Sequence, residues 1–307
     1  MTNWRSHALL LLAAFIWGSS NVAQQNVLHY LGPITTVGLR CVLASIVVLP
    51  FIWRCKTEIP RVWASDKWLI IYTSLLFGLG TTLAQIGIGK TSVINASFFI
   101  NTWTVMMPFC VWIALGTRPT LMILPAAGLT LLGTCLMCGG TFSALNSGDM
   151  LCLLAALVYT GWAICLSEFV RKFGHAFLIS MAQFVITGLV CTILGLWFEP
   201  IGFASLQDAL PDLLLVGIFS TGVGYILQAI AQAKTSLSVA AVILSLEAVF
   251  GGLAAILLLG EGFTSTTLVG TALIFAGVVL AQLTCETEMS PTQKPIAKAS
   301  LRALTST

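Results

Sequence analysis

One acidic residue, Glu247, falls near the middle of an apolar stretch that runs from Lys234 to Glu261 and is long enough to cross a bilayer. An ionised side chain at that depth costs about 2.5–3.5 kcal/mol on insertion scales. A carboxyl group there therefore faces a cavity or a partner rather than lipid. Burial disfavours the charged form of a carboxyl group, so Glu247 can serve as a proton carrier or hold a substrate amine. The rival reading makes it a permanent charge partner for Arg40. Arg40 lies inside another apolar stretch, and a guanidinium does not lose its proton in a protein. It must find a carboxylate, carbonyl groups or water, either by pairing with Glu247 or by holding an anionic group of a substrate. Its polar counterpart later in the chain is Gln183.

Neutral polar and aromatic residues extend this set. Trp17, Asn21 and Gln24 recur at i, i+4 and i+7, so they share one helix face, with Ser19 and Gln25 nearby. Such a face lines a cavity or makes interhelical hydrogen bonds, worth about 0.6 kcal/mol each on average. Asn95, Asn101 and Trp103, the pair Tyr159 and Trp162, and Tyr225 with Gln228 at i and i+3 can form an amphipathic wall, or simply pack. His7, His29 and His175 lack metal-ligand spacing. The Cys135-x-x-Cys138 pair has no second pair and no neighbouring histidine, and reads as small apolar filler. No metal and no cofactor is expected. No Walker A loop is present, so nothing here points to chemistry driven by a nucleotide.

The elements that must position these residues follow from composition. The 307 residues are 58% hydrophobic and 8% charged, with a mean hydropathy of +0.99. Soluble domains carry about 25% charged residues, so the chain reads as an all-α polytopic membrane protein in contact with the lipid bilayer. A net charge of +3 is too small to imply nucleic acid. Ten apolar segments meet the length requirement, at about 6–28, 33–53, 67–88, 92–115, 119–140, 148–170, 176–198, 211–232, 236–260 and 265–284. The longest connection, 54–66, is basic and contains proline, and is expected to lie on the surface. Twelve of the 14 basic residues fall in one set of loops and tails, Lys90 alone falls in the other, and Arg40 is intramembrane. That asymmetry predicts cytoplasmic termini in an inner membrane. Glu168, Lys90 and Glu261 read as interfacial charges. The polar segment 285–307 is expected to be a disordered cytoplasmic tail.

The chain also repeats itself. Lys90-Thr91-Ser92 recurs as Lys234-Thr235-Ser236, an offset of 144 residues. At the same offset Gly78 and Gly80 match Gly222 and Gly224, Leu115-Gly116 matches Leu259-Gly260, and Gly133 matches Gly277. Two units follow, 6–140 and 148–284, each with five spans. An odd number of spans makes the second copy enter the membrane the other way up. Inverted repeats of this kind are a recurrent architecture of secondary transporters, with sites at the repeat interface near the midplane.

The residues Phe15-Ile16-Trp17-Gly18-Ser19-Ser20 resemble the first-helix signature of the EamA-like branch of the drug/metabolite transporter superfamily. Gly148-Asp149 through Tyr159 resembles the opening of that family's sixth helix, and Ala233 to Ser236, Leu246-Glu247, Leu259-Gly260-Glu261 and Gly270 through Gly277 follow its later pattern. Ala248 stands where the family often has proline, and Trp103 occupies the first-copy position of Glu247. The resemblance implies a carrier, not an enzyme: a secondary-active exporter of amino acids or small toxic compounds, acting as a monomer or homodimer. Protons are one coupling partner, with Glu247 as the titrating group, and facilitated diffusion is the rival. The alternatives are uptake of a sugar-linked or phosphorylated metabolite, or a membrane-embedded enzyme or sensor. An enzyme would bring a cluster of His, Asp or Cys to one membrane face, and a sensor would add a soluble output domain.

Overall fold

The computed structural model describes residues 4–55, 57–91, 93–116, 123–137, 146–200, 202–259 and 265–288. Its described residues form helices α1 (Trp4–Val27), α2 (Pro33–Cys55), α3 (Ile59–Ile88), α4 (Val93–Asn101), α5 (Trp103–Leu115), α6 (Ile123–Met137) and α7 (Ser147–Phe173). There follow α8 (Ala176–Phe198), α9 (Phe203–Leu214), a π-helical stretch Leu215–Gly224, α10 (Tyr225–Gln232), α11 (Leu237–Leu244), α12 (Glu247–Leu259) and α13 (Ser265–Glu288). Among the described residues, six helical stretches are long and apolar enough to cross a membrane, and four shorter apolar stretches, 98–114, 123–136, 237–251 and 268–281, accompany them. In an apolar solvent every backbone group must be satisfied within the chain, and helices do this segment by segment. The molecule is therefore an all-helical polytopic membrane protein.

Two boundaries differ from the sequence expectation, for local reasons. The connection 54–66 is not a simple surface loop, since Ile59 onward is helical and the chain kinks at Asp66 (φ −158°, ψ 64°). Asp66 Oδ1 accepts a hydrogen bond from the Leu69 amide (3.1 Å), the geometry of an N-cap, and its other carboxylate oxygen meets Lys172 Nζ at 2.8 Å. A cap at this point restarts the helix. At the other end α13 carries on through Cys285 to Glu288, inside the stretch expected to be tail; residues 289–307, Cys138, Arg118 and Glu261 lie outside the described residues.

The spans around residues 102 and 245 are interrupted at nearly the 144-residue offset. Thr102 Oγ1 donates to the Phe99 carbonyl (2.6 Å), and Ser245 Oγ donates to the Val242 carbonyl (2.5 Å). Hydroxyl side chains that bond back to the preceding turn compete with the helical ladder and bend it. A tight turn results in each case, separating α4 from α5 and α11 from α12.

Helix pairing is strongly patterned. α2 packs on α8, α6 on α13, α3 on α7 and α8, and α1 on α12 and the π-helical stretch through α10. The α6–α13 contact is reciprocal. A Cβ at Gly133 would lie 2.5 Å from the Gly270 carbonyl oxygen, and one at Gly277 would lie 2.7 Å from that of Ala126. Position 126 is 144 before 270, as 133 is before 277. The same patch thus meets its own equivalent, and the backbones approach closely only because both sites are glycine.

Candidate functional site

The turn at Ser245–Leu246 places Glu247 at the start of α12, inside the bundle. From there a cavity of about 110 Å³ extends towards the ends where α1 and α3 finish and α4 begins. That is several times what one water needs, and enough for a small organic solute. Its walls come from α1, α2, α3, α4, α7, α10, the π-helical stretch, and the first residues of α5 and α12.

Of the residues singled out in the sequence, Trp17, Asn21, Gln24, Arg40, Asn101, Trp103, Tyr159, Trp162, Tyr225, Gln228 and Glu247 line this one cavity. Ser19 and Gln183 do not. Ser19 Oγ donates to the Ile16 carbonyl of its own helix (3.1 Å), because residues two apart do not share a helix face with Trp17 and Asn21. Gln183 is fully buried behind the wall, where its Oε1 accepts the Trp162 indole N–H at 2.9 Å. It fixes a lining ring rather than matching Arg40 across the cavity. Two polar contributors were not picked out from the sequence, Gln85 and Ser220. Gln85 sits alone in an apolar stretch, and only the packing of α2 on α3 brings it to Arg40; Ser220 and Thr221 lie in a glycine-rich run where small hydroxyl residues read as helix packing.

Arg40 is buried, and its Nη1 donates to Gln24 Oε1 (3.0 Å) and Gln85 Oε1 (3.2 Å). Gln85 Nε2 in turn donates to the Gln24 carbonyl (3.4 Å). Gln24 Nε2 donates to Asn21 Oδ1 (3.4 Å), and Asn21 Nδ2 reaches Glu247 Oε1 at 3.5 Å. A ladder of neutral amides thus runs from the guanidinium to the carboxyl group. No ion pair joins Arg40 and Glu247, so the reading of Glu247 as Arg40's fixed charge partner is corrected: the first-helix amides occupy the space between them.

Aromatic rings complete the wall. Tyr225 packs edge-on against Phe77 and Trp162, with centroids 4.9 and 5.5 Å apart, and Trp17 tilts against it at 4.9 Å. Edge-to-face pairs of this kind add about 0.5–1.5 kcal/mol each beyond their burial, which favours this packing of the rings. Trp17 is held further by its indole N–H, which donates to the Ser220 carbonyl of the π-helical stretch at 2.8 Å. π-Helical geometry is uncommon and concentrates at functional sites. Gly18 sets the depth of α1: a Cβ there would lie 2.5 Å from the Glu247 carbonyl oxygen. Among the described residues, no group of three or more His, Cys, Asp or Glu comes together.

The EamA-like transporter family matches residues 4–139 and again 146–283. An uncharacterized transporter of Archaeoglobus fulgidus is 29% identical over 279 residues, covering 89% of this chain and 84% of its own. A chloroplastic WAT1-related protein of Arabidopsis thaliana is 27% identical, covering 89% and 68%. An uncharacterized transporter of Methanothermobacter thermautotrophicus is 24% identical, covering 88% and 84%. One solved crystal structure superposes with a TM-score of 0.77 over 93% of this chain and 99% of its own, at 14% identity. With both halves of the chain matched, this protein belongs to the EamA-like transporter family and is a membrane transporter of the drug/metabolite type.

Proposed function

We propose that this protein is a secondary-active carrier that exports small zwitterionic or amphipathic metabolites, amino acids foremost, by alternating access. The ten-span arrangement of two inverted five-helix repeats, with both termini in the cytoplasm of an inner-membrane protein, underlies the reading. The double family match, the paired helix interruptions and the reciprocal Gly133–Gly270 and Gly277–Ala126 contacts support it. An interface that meets its own equivalent lets one half adopt the other's shape, so the central cavity can face either side.

The observation that carries the solute class is the separation of Arg40 from Glu247 in one cavity. Each charge is bridged to neutral amides and is left able to take an opposite charge from a ligand. Arg40 suits a carboxylate, and Glu247 an ammonium group or a proton. The aromatic wall of Trp17, Tyr159, Trp162 and Tyr225 suits an apolar side chain. Glu247 as the titrating group would couple export to proton entry. A second reading, export of small toxic aromatic cations, is favoured by the same rings beside Glu247, because cations are attracted to aromatic faces. Arg40 weighs against it.

Efflux from preloaded cells, measured with labelled amino acids and labelled aromatic cations with and without expression, tests the proposal. Faster loss of amino acids is expected. Loss of cations alone would transfer the reading to toxic-compound export, and no difference for either class would overturn both.

A further inference from the structure

The face of α10 that continues past the cavity is polar, buried and unpartnered. Gln228 lines the cavity, and Gln232, one turn further along, is fully buried with neither Oε1 nor Nε2 bonded. Both amide atoms of Gln228 also lack partners, and so does the buried hydroxyl of Thr235, in the turn that follows. Residues 228 and 232 share a helix face. A buried amide without hydrogen bonds is expensive and uncommon in native structures. A row of them leading from a cavity to one end of a helix calls for a state in which they are used.

The repeat says which state. In α3, Ala84, Gln85 and Ile88 line the cavity where it approaches the end of that helix. Their equivalents 144 residues later are Gln228, Ala229 and Gln232 on α10, of which Gln228 alone lines the cavity here. If the two halves exchange shapes, Gln232 takes the place that Ile88 holds now. Beyond the end of α10, the C-terminus of α7 reaches the turn that carries Thr235. Arg171 Nη2 donates to the Thr235 carbonyl (3.4 Å), and the neighbouring Lys172 ties α7 to α3 through Asp66 (2.8 Å).

We propose that Gln232, with Thr235 at its mouth, lines the route by which solute passes between the cavity and the opposite membrane face in a second conformation of this chain. The proposal rests on the alternating-access reading and adds the position of the second route. Gln232 supplies a donor and an acceptor to solute or its hydration shell there, and the α7 contact with Thr235 parts when it opens.

The test is labelling of Gln232→Cys in the full-length protein by a charged, membrane-impermeant methanethiosulfonate reagent, in right-side-out and inside-out vesicles. Peptide mass spectrometry reads position 232 separately from the natural cysteines. Ile88→Cys reports the cavity as it stands. Ala231→Cys is the control, since Ala231 is fully buried and its equivalent, Gly87, is not among the residues lining the cavity. Thr235→Cys is a second reporter should Gln232→Cys fail to fold. Position 232 is expected to label several-fold above position 231, from the face opposite the one that labels position 88. Absence of labelling at both 232 and 235 overturns the proposal. Amino-acid efflux from the same vesicles then separates the cases: flux without labelling leaves the transport reading standing, and neither flux nor labelling counts against both.

Discussion

Arg40 and Glu247 face one cavity from α2 and α12 without touching, and the amides of Gln24 and Asn21 relay between them. A direct ion pair would have been self-contained, and a solute would have had to break it. Opposite charges held apart by neutral groups instead leave both open to a ligand. The same arrangement explains why the first-helix polar face is needed: it keeps the two charges from collapsing onto each other.

Glu247→Gln keeps the side-chain shape and an acceptor for Asn21 while removing the ability to carry a proton. The variant is expected to fold, to melt within a few degrees of the parent in detergent, and to lose flux driven by a pH gradient. Solute exchange without a gradient should persist. Gradient-driven flux at the parental rate would exclude Glu247 as the coupling group.

Arg40→Gln removes the cation but leaves a group able to bond Gln24 or Gln85. Charge-assisted hydrogen bonds are worth about 1.5–3 kcal/mol, so half-saturation for solutes with a carboxylate should rise by about 10- to 100-fold. Solutes lacking an anionic group should be affected far less. Equal losses for both classes would mean that Arg40 is structural.

Gly18→Ala should be damaging out of proportion to one methyl group. The new Cβ would meet the Glu247 carbonyl oxygen, the Gly251 amide nitrogen and Phe250 Cβ, all within 2.5–2.7 Å. Backbone atoms cannot step aside as a side-chain end can, so α1 must shift from α12. Overpacking costs about 1–3 kcal/mol, to be read as a lowered thermal midpoint in detergent, with Glu247 displaced and flux reduced.

Trp17→Phe keeps a ring against Tyr225 but deprives the Ser220 carbonyl of its indole donor. Losing one intramolecular hydrogen bond costs about 0.5–1.5 kcal/mol, which thermal melting should detect. Ser19→Ala is the contrasting case. Ser19 bonds only within its own helix and is absent from the cavity wall, so its removal should leave both melting and flux unchanged.

How much of this was legible in advance differs residue by residue. Trp17, Asn21 and Gln24 announced a shared face by spacing alone, and all three line the cavity. Ser19 sat among them, but its two-residue spacing turns it away. Gln183 and Gln85 show the converse. Each is a glutamine within an apolar helix, and nothing in its own neighbourhood tells which is at the wall and which is behind it; the crossing of α7 on α8 buries the first against Trp162, and that of α2 on α3 brings the second to Arg40.

The sequence by itself determined that the chain is a membrane protein, that its two halves are related, which family it belongs to, and that Glu247 and Arg40 are unusual. Those conclusions follow from properties each segment carries alone: apolar length, charge, helical period and a repeated pattern. Only the tertiary structure decided that Arg40 and Glu247 remain apart, that Gln85 and Ser220 join the site, and that Gln232 is buried with its amide unused. A polar group in an apolar medium must find some partner, and many partners serve equally well by chemistry. Which one it finds is fixed by how helices distant in sequence cross, and that crossing is set by close contacts such as Gly18 on Glu247 and Gly133 on Gly270.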